Sequence, residues 1–184
     1  MKKLHTLFIA FALLFTMAGC QSSKTDNNVS VNEIMDTVKM QMADDMRAEG
    51  DSQEYLVDGK LQGYHEIDLL STESNDPVST LFKQRLKINE DELEEGVVLA
   101  PLMNTKSDEI IILKAKHGNM ADTLKKVLEK EKDAQIDTWS QYLPDQYEKV
   151  KNNRIEVKGK YLIYVTYEKP DEIIQTFNKE LKGK

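Results

Sequence analysis

Residues 110–113, Ile110-Ile111-Ile112-Leu113, are apolar at every position, and this run constrains the fold more than any other stretch. A strand with one wet face alternates apolar and polar residues. An unbroken run belongs to a strand covered on both faces or lying centrally in a sheet. A second apolar run at 97–103 precedes it, joined by the polar Asn104-Thr105-Lys106-Ser107-Asp108, and the two together read as a hairpin. Pro101 has no N–H to donate to a ladder and is expected to put the 97–103 strand at an edge or a bulge.

A second hairpin follows the same logic. Ile155 and Val157 alternate with polar neighbours, Gly159-Lys160 turns the chain, and Tyr161, Ile163, Val165 and Tyr167 share one face of the next strand. Pro170-Asp171 then opens a helix burying Ile173, Ile174, Phe177 and Leu181. After the first hairpin, Asn119-x-x-Asp122 starts a long helix carrying Leu124, Val127, Leu128 and Trp139. Pro144 ends it, and a short helix through Tyr147 and Val150 follows. Near the start of the chain, Ser30-x-x-Glu33 has the form of a capping box. Val31, Ile34, Met35, Val38, Met42 and Met46 then recur at spacings of three and four, a core-facing stripe that runs until Gly50. Asp76-Pro77 is expected to cap a short helix through Leu81, Phe82 and Leu86. Residues 51–75 are irregular and acidic, with hints of order only at 54–57 and 64–70. Two hairpins and their helices predict an α+β domain over residues 30–182, with an antiparallel sheet of about four strands. The order strand, turn, strand, helix occurs at 95–130 and again at 154–182, which suggests a duplication.

Ahead of this domain stands the only cysteine, Cys20. Lys2 and Lys3 precede an apolar stretch at 7–18 that is shorter than the roughly 20 residues of a spanning helix. Met17-Ala18-Gly19-Cys20 resembles a bacterial lipobox, with Met17 where Leu is commonest. The expectation is a lipoprotein signal at 1–19, then a lipidated Cys20 and a polar tether through residue 29. In that case two acyl chains, such as palmitate, hold the chain to the outer face of the cytoplasmic membrane. No thiol is then left for a disulfide, so the fold rests on its core. The 25 Lys and Arg are outnumbered by 32 Asp and Glu, for a formal charge of −7. An acidic surface repels phosphate backbones, so nucleic acid is not an expected partner.

The residues offer no reaction. Of the three histidines, His65 and His117 lie far apart and without ligand spacing, so no metal or cofactor site is expected. The acidic pairs and runs at Asp44-Asp45, Glu90-Asp91-Glu92, Glu94-Glu95 and Asp108-Glu109 lack the spacing of a calcium loop and read as solvated loops or helix starts. Paired carboxylates would serve a cell-wall hydrolase, but with so many acids such pairs arise by chance. There is no nucleophile elbow and no glycine-rich phosphate loop. Tyr142, Pro144, Gln146 and Tyr147 gather at a helix-to-helix corner and are the best interaction candidates. The alternative is that both rings pack the corner while Gln135 and Gln146 cap backbone groups.

Three stretches carry a family likeness: Ala100-Pro101-Leu102-Met103 through Ser107-Asp108-Glu109-Ile110-Ile111, then Ala134-Gln135 with Tyr142-Leu143-Pro144-Asp145-Gln146-Tyr147, and Lys158-Gly159-Lys160-Tyr161. The chain resembles a family of small lipoproteins of low-GC Gram-positive bacteria catalogued as a domain of unknown function. The likeness spans about residues 30–177, apart from 51–75, and implies no reaction, substrate or cofactor. The expectation is a membrane-anchored, non-catalytic module that binds a protein or peptide. A small-ligand-binding lipoprotein is the alternative, and a hydrolase a more distant one.

Overall fold

The computed structural model describes residues 28–50, 53–71 and 77–183. Its elements run α1 (Val31–Ala48), a ribbon of β1 (Leu56–Val57) and β2 (Lys60–Leu61), β3 (Tyr64–Asp68), α2 (Pro77–Leu86), β4 (Leu93–Pro101), β5 (Glu109–Ala115), α3 (Ala121–Trp139), α4 (Pro144–Lys151), β6 (Arg154–Lys158), β7 (Tyr161–Thr166) and α5 (Pro170–Lys182). The α+β class holds, with five helices among the described residues. The main sheet is antiparallel with order β3-β4-β5-β7-β6, so it has five strands where the hairpins alone predict four. The fifth, β3, comes from the irregular acidic region.

The all-apolar run lies in β5, the middle strand, and all four of its residues are fully buried. Helices cover both faces of the sheet. Ile110 and Ile112 join Val97, Leu99, Ile163 and Val165 beneath α1 and α5, whose Val31, Ile34, Met35, Val38, Met42, Ile173 and Phe177 close that core. Met35 and Met42 of α1 are therefore packing residues. Ile111 and Leu113 face the other way, with Val98, Leu162 and Tyr164, beneath α2 and α3 through Phe82, Leu86, Leu124 and Leu128.

This layering overturns the duplication. The two hairpins meet where β5 pairs with β7, antiparallel. A repeat related by a twofold axis through that pair would send both following helices to the same face. Instead α3 covers one face and α5 the other, so the recurrence is one of sequence order only. Pro101 does not make β4 an edge strand either. It is the last residue of a strand flanked on both sides, beyond the final rung with β5 at Leu99 and Ile110, where its missing N–H breaks no ladder bond. Two caps also differ from expectation. Residues 118–120 form a 3-10 turn, and Met120 rather than Asn119 stands at the α3 N-cap. Pro77 opens α2, while Asp76 lies outside the described residues.

At the start of α1 the Ser30 hydroxyl accepts from Asn32 N (3.2 Å), as a capping serine should. The carboxylate that joins it is not Glu33 but Glu95, which accepts from Val31 N (2.8 Å) and Ser30 Oγ (2.9 Å). Glu95 also holds the buried Lys114 ammonium at 2.9 Å, as does Glu94, and Asn28 Oδ1 accepts from the same ammonium at 2.7 Å. Burial works against the Lys114 charge, yet the hydrogen bonds to Glu94 and Glu95 outweigh it and raise its pKa. The acids at 94 and 95 are thus an ion-pair node and not a solvated run.

Ile111→Asp is expected to unfold the protein. The new carboxylate would lie in the middle strand, between Val98 and Tyr164, on the face where Arg85 is already shared by Glu109 and Glu131. The expected loss exceeds about 4 kcal/mol, and denaturant unfolding measures it. A folded variant with an unchanged midpoint would contradict the central position of β5.

Candidate functional site

The first residues of β5 and the loop before it bring the sequence candidates to one end of the sheet. Consecutive strand residues point to opposite faces, so Asp108 and Glu109 divide between the two helical layers. Asp108 turns toward the α1 face. It accepts from the Tyr64 hydroxyl (2.8 Å) and from Lys149 Nζ of α4 (2.7 Å). Burial, and then the Asp108 carboxylate, push the Tyr64 phenol well above its ordinary range and keep it protonated. Ser107, one residue earlier, is fixed to α4 as well, because Gln146 Oε1 accepts from Ser107 N at 2.9 Å. The loop from β4 to β5 is therefore held rigidly against α4 at its C-terminal end.

Outside this anchored segment, Leu102 and Met103 stand 55% and 60% exposed. They rim a cleft of about 510 Å³ whose other walls are Met46 and Glu49 at the end of α1, Tyr55, Gln62 and Gly63 around the ribbon, Tyr64, and Lys106. Its lining is chiefly apolar, with one carboxylate and one ammonium. A second cleft of about 570 Å³ lies along β3 and shares Tyr64 with the first.

Glu109 turns to the opposite face and enters a buried polar cluster. Arg85 of α2 donates through Nη2 to Glu109 Oε2 and lies 3.1 Å from Glu131 Oε1 of α3. Gln135 Nε2 donates to Glu131 Oε1 (2.6 Å), and Trp139 Nε1 donates to Gln135 Oε1 (3.0 Å). Glu131, Gln135 and Trp139 are four apart on α3 and so share one face. The Arg85 guanidinium also stacks over Phe82, 4.2 Å from the ring centroid. Glu109 Oε1 and Arg85 Nε are buried without partners. Two carboxylates thus share one cation. Neither lines the cleft at Tyr64 or the one along β3. Among the described residues no group of three or more His, Cys, Asp or Glu is arranged to hold a metal ion.

The four residues singled out at the helix corner have separate roles. Tyr142 is exposed, its ring centroid 5.6 Å from that of Trp139, and Pro144 is the exposed first residue of α4. Tyr147 is half-buried beneath the Lys151 ammonium, 4.7 Å from the ring centroid. Gln146 faces inward to Ser107. It accepts from a backbone N–H as the packing alternative expects, whereas Gln135 bonds side chains. Sequence reasoning missed Arg85, Glu109 and Glu131. Two signals pointed to them: an acid pair directly ahead of an all-apolar strand, and polar residues at i, i+4 spacing beside Trp139. Cys20 lies outside the described residues.

The family model of a domain of unknown function, DUF4358, matches residues 66–167, more than half of the chain. The chain belongs to this family. The DUF4358 match runs from β3 to the residue after β7. It contains Ser107, Asp108, Gln146 and the whole Arg85, Glu109, Glu131 cluster, and it excludes α1, the ribbon and α5. It is shorter than the span of the sequence likeness but takes in the end of the irregular acidic region. No curated protein and no solved structure matches the chain.

The shared cation makes stability depend on pH. Burial pushes the Glu109 carboxyl up from the usual 4.5 to about 7; Arg85 pulls it back, and Glu131 adds to the rise. A carboxyl raised in the folded state binds its proton more tightly there than in the unfolded chain. The stability it contributes is full below pH 4.5 and is lost as the pH climbs to about 7. Glu109→Gln, which keeps the shape without the charge, is expected to flatten that fall when melting temperatures are measured across the window. An unchanged slope would assign the buried proton to another group. Tyr142→Ala, at a site 55% exposed, is expected to lower stability by less than about 1 kcal/mol in the same assay.

Proposed function

We propose that this chain is a non-catalytic module that binds a protein or peptide at the cleft beside Tyr64, held at the outer face of a cytoplasmic membrane by lipid on Cys20. The observation that carries the reading is the pair Leu102 and Met103, two large apolar side chains exposed on the rim of a concave, mostly apolar surface. Apolar groups gathered at a cleft mark contact surfaces more often than scattered ones do. Here the loop that carries them is braced by the Ser107 to Gln146 bond, so ordering it on binding costs little.

The direction of α1 supports the membrane part. Its first turn sits by Lys114 at one end of the sheet, and its last reaches the cleft at the other, about 27 Å away for 18 residues. A tether upstream of Asn28 therefore presents the cleft away from the point of attachment. Among the described residues no helix is long and apolar enough to cross a membrane. Binding of a small ligand is the second reading, favoured by the cleft volume, which falls in the range of small-molecule sites.

Two measurements test the proposal. Met103→Asp is expected to leave the melting curve unchanged and to abolish crosslinking to a specific partner in intact cells. Equal crosslinking in the variant and the parent would remove the cleft from the interface. Cys20→Ser is expected to stop incorporation of labelled fatty acid, and normal labelling would overturn the anchor. A ligand at 100 times its dissociation constant adds about 2.7 kcal/mol, so a thermal-shift screen that finds such a compound would favour the second reading.

A further inference from the structure

β3 lies at the edge of the sheet, and among the described residues no strand pairs with its outer side. The bonds from Leu69 N to Gly96 O and from Leu102 N to Gly63 O, each 2.9 Å, set the pairing with β4. In an antiparallel pair the bonded residues alternate. His65 and Ile67 therefore bond inward, while the N–H and C=O of Tyr64, Glu66 and Asp68 point away from the sheet. Among the described residues no further strand pairs with them. Sheets commonly cover or blunt such an edge. Here the cleft of about 570 Å³ lies along it instead, between α1 at Asp36 and the ribbon turn at Asp58, with Val97 and Leu99 at its base.

The chemistry of this edge selects its occupant. Asp36, Asp58, Glu66 and Asp68 face the cleft against Lys39 and Lys60. The Lys39 ammonium is already engaged by Asp36, Glu66 and the Gly59 carbonyl. The remaining field is negative. Tyr64, Glu66 and Asp68 also project to one face, so an added strand would meet them with every second side chain. Resting on the interaction reading above, we infer that β3 is the pairing edge for an extended, basic segment of another protein, which adds a sixth strand to the sheet. Its backbone pairs with these outward groups, and lysines or arginines at alternate positions meet Glu66 and Asp68 while their stems lie along Leu99. A second copy of this chain is a poor occupant, because β3 against β3 opposes like charges.

Fluorescence anisotropy with the full-length chain in detergent micelles tests this. The probes are a labelled nonapeptide alternating lysine and valine, its glutamate counterpart, and the lysine peptide N-methylated at alternate backbone nitrogens. The lysine peptide is expected to bind, and the other two to bind at least about tenfold more weakly. Glu66→Pro removes an outward N–H and leaves the β4 ladder intact. It is expected to lose at least about tenfold in affinity, beyond the loss in Glu66→Ala, which removes only the side chain. Four results would overturn the inference: no binding of the lysine peptide up to about 1 mM, equal binding of the N-methylated peptide, a Glu66→Pro variant that binds like Glu66→Ala, or a chain that dimerises through β3. Partner crosslinking that survives Glu66→Pro but not Met103→Asp would remove the edge and leave the cleft reading standing.

Discussion

Every layer of this molecule is attached to β5. Its middle is apolar on both faces, and its ends carry buried charge, Asp108 and Glu109 at one end and Lys114 at the other. A buried charge without a partner costs several kcal/mol, so each of these residues requires its counterpart to arrive from another element. Asp108 requires Lys149 of α4, Glu109 requires Arg85 of α2, and Lys114 requires Glu94 and Glu95 of β4. Through Glu95 the last of these also fixes where α1 begins. The apolar run supplies the driving force for burial. The charges decide which arrangement of helices satisfies it.

The parts of this arrangement that were legible in the sequence share one property: their signal is local. The stripe of α1, the tyrosine-bearing face of β7 and the continuous apolar run of β5 each declare their burial through spacing alone. β3 does not, because an edge strand with one buried apolar residue, Ile67, gives almost no alternation to read. The side of the sheet to which each helix crosses is also silent in the sequence, since α3 and α5 follow similar hairpins and pack on opposite faces. At the candidate site the failure has the same cause. Asp108, Glu109 and Glu94 look like solvated acids until partners 20 or more residues away are brought to them. Gln146 is the converse case, a polar residue at an apparently exposed corner that turns inward because a backbone amide of the neighbouring loop needs an acceptor.

The extent of the DUF4358 match has a bearing on what the family region is physically. Residues 66–167 include most of β3, all of β4 to β7, α4, and the helices α2 and α3 that cover one face. The other face, with Val97, Leu99, Ile110, Ile112, Ile163 and Val165, is closed by α1 and α5, and both lie outside the match. Such a surface exposed to water would drive aggregation. In this chain that face is covered by helices outside the match, and the two clefts are likewise walled partly by α1 and the ribbon.

The residues just ahead of α1 set how the molecule bears load. Asn28 is held by Lys114, the Val29 carbonyl accepts from the Tyr161 hydroxyl at 2.8 Å, and Ser30 and Val31 are held by Glu95. Tension applied to the chain upstream passes through these side chains into β4, β5 and β7 before it reaches the first turn of the helix. The strands that receive it are hydrogen-bonded on both sides. Pulling on the N-terminus thus strains the centre of the sheet, its most cross-braced part, and does not peel α1 from the surface.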